Sequence, residues 1–272
     1  MTLLPVPEPY DFELSTERFR VFGPDVANLW HEGGLHRVVG GREVRIEAAP
    51  GGVEVEPLDS ETEPVVRSLL GLPFELERFY AFAESDPVLA QLVRGLAGLR
   101  PPLAPDPFES LVTSISAQQV SLFAAFAVRN RFVERFGERG VHAYAFARRE
   151  RVAMAAIEEL RSLGFSTRKA EYVVGIAQSD LDLAALHGLP DDEIRTHLTA
   201  LPGIGEWTVD WFLARHLARP RAWPAGDLGL RKAVAAFYGD VSDVRAFADR
   251  FAPFENLSAH YLLTGLRVML PA

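Results

Sequence analysis

The chain has 272 residues, 48% of them hydrophobic, enough for one large or two small domains, and its lack of cysteine excludes disulfides, zinc–thiolate sites and a cysteine-ligated iron–sulfur cluster. A net charge of −9 argues against a polyanionic partner at first sight, but the excess is local: residues 1–105 hold 17 acidic residues against nine arginines, the remainder 20 against 19 basic ones. No apolar run is long enough to cross a bilayer, and Met1–Pro9 lacks the basic start and apolar centre of a signal peptide, so a cytoplasmic protein is expected.

Residues 10–19 partly alternate apolar with polar, which predicts a half-buried strand. Leu35–Val39 and Val44–Ala48 alternate as well, and Gly40-Gly41 between them reads as a hairpin turn. Pro50-Gly51-Gly52 is a second turn, followed by Val53–Leu58 and then a short helix over Glu63–Leu70. Residues 1–75 are therefore expected to form a small antiparallel sheet with a helix. No catalytic cluster is visible in it, so it reads as a stabilising appendage, with His31 and His36 as surface residues.

From residue 76 the apolar period changes from two to 3.6, and residues 76–272 read as a helical region. Glu77–Ala83 and Pro87–Leu96 are helical, and the proline-rich 100–107 is a rigid bend. Phe108–Phe136 is a long helical stretch whose polar Ser114–Ser121 segment predicts a break near Gln118–Ser121. Arg148–Leu163 reads as one helix, and Ser166 can cap the next, Arg168–Ala177.

Leu201-Pro202-Gly203-Ile204-Gly205 separates a helix beginning near Asp191 from one over Trp207–Leu213. Pro202 cannot continue the first helix, and Gly203 and Gly205 permit backbone angles that other residues resist. The start of the second helix offers free N–H groups and a positive dipole end, which suits a phosphate. An ordinary helical corner with a glycine cap has the same residues. Asp227 follows Trp207 by 20 residues in Trp223-Pro224-Ala225-Gly226-Asp227-Leu228-Gly229, either as a plain N-cap of the helix up to Tyr238 or as a reactive acid.

Leu-Pro-Gly-Ile-Gly-x-Trp-Thr, followed about 20 residues later by Pro-x-x-Asp, resembles the signature of the helix-hairpin-helix (HhH-GPD) DNA glycosylase superfamily, and most closely its 3-methyladenine DNA glycosylase II branch. Pro9-Tyr10-Asp11-Phe12 and Leu160–Ala170 are similar to further segments of that branch. The resemblance implies an α+β fold: a mostly helical catalytic region in two subdomains with a DNA cleft between them, and a small N-terminal sheet. It implies release of alkylated bases such as 3-methyladenine and 7-methylguanine from double-stranded DNA by a monomer, with Asp227 as the catalytic acid. Trp207, Trp211, Phe19 and Leu263 would line the base pocket, with etheno adducts admitted because Leu263 stands where an aromatic is frequent. Gly203, Gly205 and Thr208 would touch the DNA backbone, and Gln119 would fill the gap left by the extruded nucleotide. No cofactor or metal is implied beyond a possible monovalent cation at the hairpin. Trp207 stands where bifunctional members carry a lysine, which implies a monofunctional enzyme. The rival readings are a DNA-binding protein without catalysis and an oxidised-base glycosylase with lyase activity.

Overall fold

A computed structural model describes residues 1–270. Thr2–Pro5 (β1), Leu29–His31 (β2), Gly34–Val39 (β3), Arg42–Ala49 (β4) and Gly52–Glu56 (β5) form one antiparallel sheet in the order β1-β5-β4-β3-β2. The alternating Leu35–Val39 and Val44–Ala48 lie in β3 and β4, Val53–Leu58 begins in β5, and the short β1 and β2 close the edges. Ile46 lies opposite both Leu35 and Val55, and all three are fully buried. That row packs with Val66, Leu69 and Leu70 of the Thr62–Leu69 helix and with Phe12 and Phe19.

Residues 10–19 are not a strand. They form the short helices Phe12–Thr16 and Arg18–Val21. Asp11 caps the first by accepting from the Leu14 amide, and the buried positions Phe12, Ser15, Thr16 and Phe19 follow a spacing of three and four rather than two. The remaining chain is helical as expected, with one further difference. Arg148–Leu163 splits into Arg149–Ala153 and Ile157–Ser162, where Glu159 turns back to the Ala156 amide. The predicted break at Gln118–Ser121 separates Pro107–Ala117 from Leu122–Phe136, which Ser121 caps. No helix among the described residues is long and apolar enough to cross a membrane.

The helical region has two cores. One draws on residues between Phe108 and Ala222; the other joins residues 74–103 to 223–262. The hairpin helices Asp191–Thr199 and Glu206–Arg215 belong to the first lobe, and the helix Leu228–Tyr238 to the second. Leu263 packs against both.

A buried ion network ties the sheet to the first lobe. Arg37 on β3 donates to both Glu109 oxygens at 3.0 and 2.6 Å, and to Asn28. Arg129 donates to Glu109 at 2.7 Å and to Asp25 at 2.6 Å. Two guanidinium groups thus face two carboxylates, all buried. Burial, the largest single influence, would raise the pKa of Glu109 and of Asp25, but the ion pairs with Arg37 and Arg129 and the hydrogen bonds together outweigh it, and both lie below the usual carboxylate range. Their contribution to stability is therefore present above that range and lost as pH falls through the lowered values. Glu109→Ala leaves the buried Arg37 without an ion-pair partner and Arg129 with Asp25 alone, and should cost about 3–5 kcal/mol in denaturant unfolding at neutral pH. The variant should also lose stability less steeply than the parent as the pH is lowered.

Candidate active site

Asp227 is both the N-cap of Leu228–Tyr238 and the meeting point of the two lobes. Its Oδ1 accepts from the Leu230 amide at 3.0 Å. Its Oδ2 accepts from the indole Nε1 of Trp207 and of Trp211, each at 3.0 Å. The two tryptophans sit four residues apart on Glu206–Arg215, so one helix face presents both N–H groups to the same oxygen. A carboxylate offers about four lone-pair sites. Three are taken, and the fourth remains on Oδ1. A Cβ at Gly229 would lie 3.0 Å from that oxygen and 3.2 Å from Leu263, so glycine keeps the approach to Oδ1 clear and places Leu263 beside it.

The hairpin lies one turn before the tryptophans. Gly203 has φ +83°, and a Cβ there would lie 2.1 Å from the Tyr172 ring, so this glycine serves internal packing as well as the turn. Gly205 meets nothing within 4 Å and faces open space. Among the described residues the amides of Gly205, Glu206 and Trp207 have no acceptor. Thr208, expected at the DNA backbone, is 1% exposed: its amide bonds to the Gly205 carbonyl and its hydroxyl accepts from Gln118. Gln118 also donates to the Gly203 carbonyl at 3.0 Å and so pins the hairpin to the break between the lobe's two long helices. Glu206 turns toward Arg245, 3.2 Å away, and Asp210 is buried between Arg195 and Arg245. The hairpin mouth forms a depression lined by Gln118, Gln119, Arg168, Lys169 and Gly205. Lys169 is tethered to the Ser116 carbonyl at 3.0 Å.

Gln119 stands exposed with φ +57°, a conformation non-glycine residues seldom hold without a reason. Beside it Val120, Leu122 and Phe123 are exposed, the last at 63%. Phe22 of the N-terminal domain packs edge-on against Phe123 at 5.8 Å, and the Arg267 guanidinium stands 5.8 Å from its ring. Phe19, expected in the pocket, is instead buried in the N-terminal core. Phe22, one helical turn on, is the aromatic that reaches this face.

Sequence reasoning missed a group of cations. Arg18 and Arg215 lie deep in the protein yet keep some access to solvent, and among the described residues neither has an ion pair or a side-chain hydrogen bond. Burial pushes Arg18 down to about 10, with Asp25 opposing and Arg129 and Arg267 adding to the shift. Burial also pushes Arg215 well below the arginine range, helped by Arg18 and opposed by Asp227. The Arg215 guanidinium lies 3.6 Å from the centre of the Trp211 ring and covers that face. His260, 5.9 Å from the same ring, is held neutral by burial and by Arg215 and Arg18, and its Nε2 has no partner. Isolated arginines carry no sequence signal that would have shown them meeting here. The N-terminal domain is thus more than an appendage, since Arg18 and Phe22 come from it.

Residues 112–246 match the family model of the HhH-GPD superfamily base excision DNA repair proteins. A DNA-3-methyladenine glycosylase of Bacillus subtilis is 33% identical over 164 residues, 57% of this chain and 54% of that protein. The chain spans about half the length of the curated relatives it matches first. A solved 3-methyladenine DNA glycosylase from Archaeoglobus fulgidus is 30% identical, with a TM-score of 0.88 and all of both chains covered. A Schizosaccharomyces pombe 3-methyladenine DNA glycosylase in complex with abasic DNA is 26% identical, with a TM-score of 0.61 over 70% of this chain and 97% of that one. With a family model over its centre and a solved relative of the same fold over its whole length, the chain belongs to the HhH-GPD superfamily of base excision DNA repair proteins, in its 3-methyladenine DNA glycosylase branch.

Proposed function

We propose that this chain is a monofunctional DNA glycosylase, acting as a monomer on alkylated bases in double-stranded DNA. The observation that carries the reading is Asp227, held by three N–H donors, two of them on the helix that starts at a hairpin whose amides are open. The target atom is hidden in a duplex, so the nucleotide is first turned out of the stack. The free amides at Gly205, Glu206 and Trp207 take a backbone phosphate, and the raised Gln119 enters the vacated space. Val120, Leu122 and Phe123 flank it as an apolar ridge against the opened bases.

Cleavage of the N-glycosidic bond leaves positive charge on the sugar. Asp227 stabilises that charge through Oδ1 and orients the attacking water with its remaining lone pair. N3- and N7-alkylated purines are cationic and leave as neutral bases, so no second acid is needed. Trp207 cannot form a Schiff base. Of the two lysines in the chain, Lys169 is tethered to Ser116, and Lys232 is exposed beyond Asp227 on the following helix. No organic cofactor is needed. A monovalent cation at the hairpin would share the Gly203 carbonyl with Gln118, which leaves it one lone pair.

A second reading concerns the lesion. Arg18 and Arg215 bring positive charge to the Asp227 side, and Arg215 covers the Trp211 face, which disfavours a cationic base and favours neutral adducts of the etheno type.

A panel of duplexes, each with one lesion, scored for base release before and after hot alkali, tests the function. Strand cuts should need the alkali, and borohydride should trap no covalent adduct. Asp227→Asn should lower release by about 100–1000-fold while DNA binding persists. A wild type that binds but releases nothing leaves only the binding role.

Trp207→Phe removes one donor to a charged acceptor, worth about 1.5–3 kcal/mol, and should slow release about 10–150-fold with binding little changed. Gly229→Ala should also slow release without weakening binding. On the same panel, Arg215→Met should shift the ratio of rates from ethenoadenine toward 7-methylguanine.

A further inference from the structure

Three of the seven histidines meet on the N-terminal sheet, away from the hairpin and Asp227. Register explains why. His31 lies opposite Gly34, two residues before His36, and Glu43 lies opposite Val38, two residues after it. With a period of two, His31, His36 and Glu43 share one face of the β2–β3–β4 segment. The fourth member, His142, comes from the loop after the Leu122–Phe136 helix, where Arg139 and Tyr144 form an isolated bridge. Glu43 Oε2 accepts from the His142 and Ala143 amides at 2.8 and 3.0 Å, which fixes that loop over the sheet.

The rings of His31 and His142 stack with centroids 4.5 Å apart, and His36 lies 5.0 Å from His142 and 5.7 Å from His31. His36 is 5% exposed, not the surface residue its sequence context suggests. Its Nδ1 is 2.8 Å from Glu43 Oε1, whereas its Nε2 is buried with no partner. With His36 Nδ1 and Glu43 Oε1 already 2.8 Å apart, an ion can take the place of the proton between them and draw on both as ligands. The ligand atoms of His36, Glu43 and His142 lie within 4.8 Å of one another. A tetrahedral ion with bonds of about 2.0–2.2 Å holds its ligand atoms roughly 3.4 Å apart, so the wider pairs of that set must close by up to roughly 1.4 Å. His142 and His31 stand at the solvent edge and are free to turn inward.

We propose that His36, Glu43 and His142, with His31 at the rim, bind one divalent transition-metal ion of the zinc class. Imidazole with a single carboxylate suits zinc, nickel, cobalt or copper far better than magnesium or calcium. The ion clips β3 and β4 to the loop after Leu122–Phe136 and so fastens the sheet to the first helical lobe at a second point beside the Arg37–Glu109 network. It is a structural site and takes no part in base release.

The test uses the full chain without a histidine tag, stripped with chelator. Cobalt titration should give a visible absorption band saturating at one equivalent, zinc should displace it, and zinc should raise the thermal unfolding midpoint. His142→Ala removes an exposed side chain and should weaken binding at least tenfold and abolish the thermal shift, and His36→Gln should do the same. His197→Ala, on an exposed face of the hairpin's first helix, should change neither. Failure of cobalt and zinc to bind at a defined stoichiometry overturns the proposal. So does binding that survives both His142→Ala and His36→Gln, or that His197→Ala weakens equally.

Discussion

The site depends on one carboxylate being held by both lobes at once. Asp227 sits at the start of a helix rooted in the second core, while the two indole N–H groups that grip its Oδ2 come from a helix rooted in the first. The hydrogen bonds that orient the acid are therefore also contacts between the lobes. A shift of one lobe relative to the other would misdirect the acid before it disturbed either core. Three donors on one carboxylate also make its oxygens unequal: Oδ2 is saturated, and the lone pair left over is on Oδ1.

The hairpin is held in the same manner. Gln118, from the break between the two long helices of the first lobe, donates to the Gly203 carbonyl and to Thr208. The segment that presents Gln119 to the outside is thus the segment that secures the hairpin turn. Rigidity at this turn would matter for the proposed phosphate contact, because free amides bind an anion well only if they converge before the anion arrives. The buried pair Arg195–Asp210 fastens the two hairpin helices to each other from behind.

Local patterns were legible in the sequence. The alternation of Leu35–Val39 and Val44–Ala48, the Gly-Gly turn, the break at Gln118–Ser121 and the capping role of Asp227 each depend on a few neighbouring residues. Residues 10–19 read as a strand because their polar and apolar residues happen to alternate, although Asp11, three residues before Leu14, is an N-cap. The roles of Trp207 and Trp211 were half legible. Their spacing placed them on one face beside the hairpin, but whether their rings or their N–H groups face the site depends on the placement of the second lobe. Long-range meetings were not legible at all. Glu43 and His142 are 99 residues apart, and Arg18 reaches the Asp227 side from a domain that shows no catalytic pattern of its own.

The arginines bear on which lesion suits this pocket, because the charge of the leaving base differs between the two classes. A cationic alkylpurine departs neutral and gains nothing from nearby guanidinium groups. Before cleavage it is repelled by them, and Arg215 already covers the Trp211 face that would have drawn it by a cation–π contact. A neutral adduct departs with negative charge building on the base. Desolvated donors without partners, such as those of Arg18 and Arg215, stabilise such charge most where water is excluded. Keeping two such cations uncompensated is costly to the folded state, and their burial lowers both pKa values accordingly. In the proposed reaction Asp227 would face the sugar and the arginines the base, so that the two opposite charges of a breaking glycosidic bond would each find their counterpart.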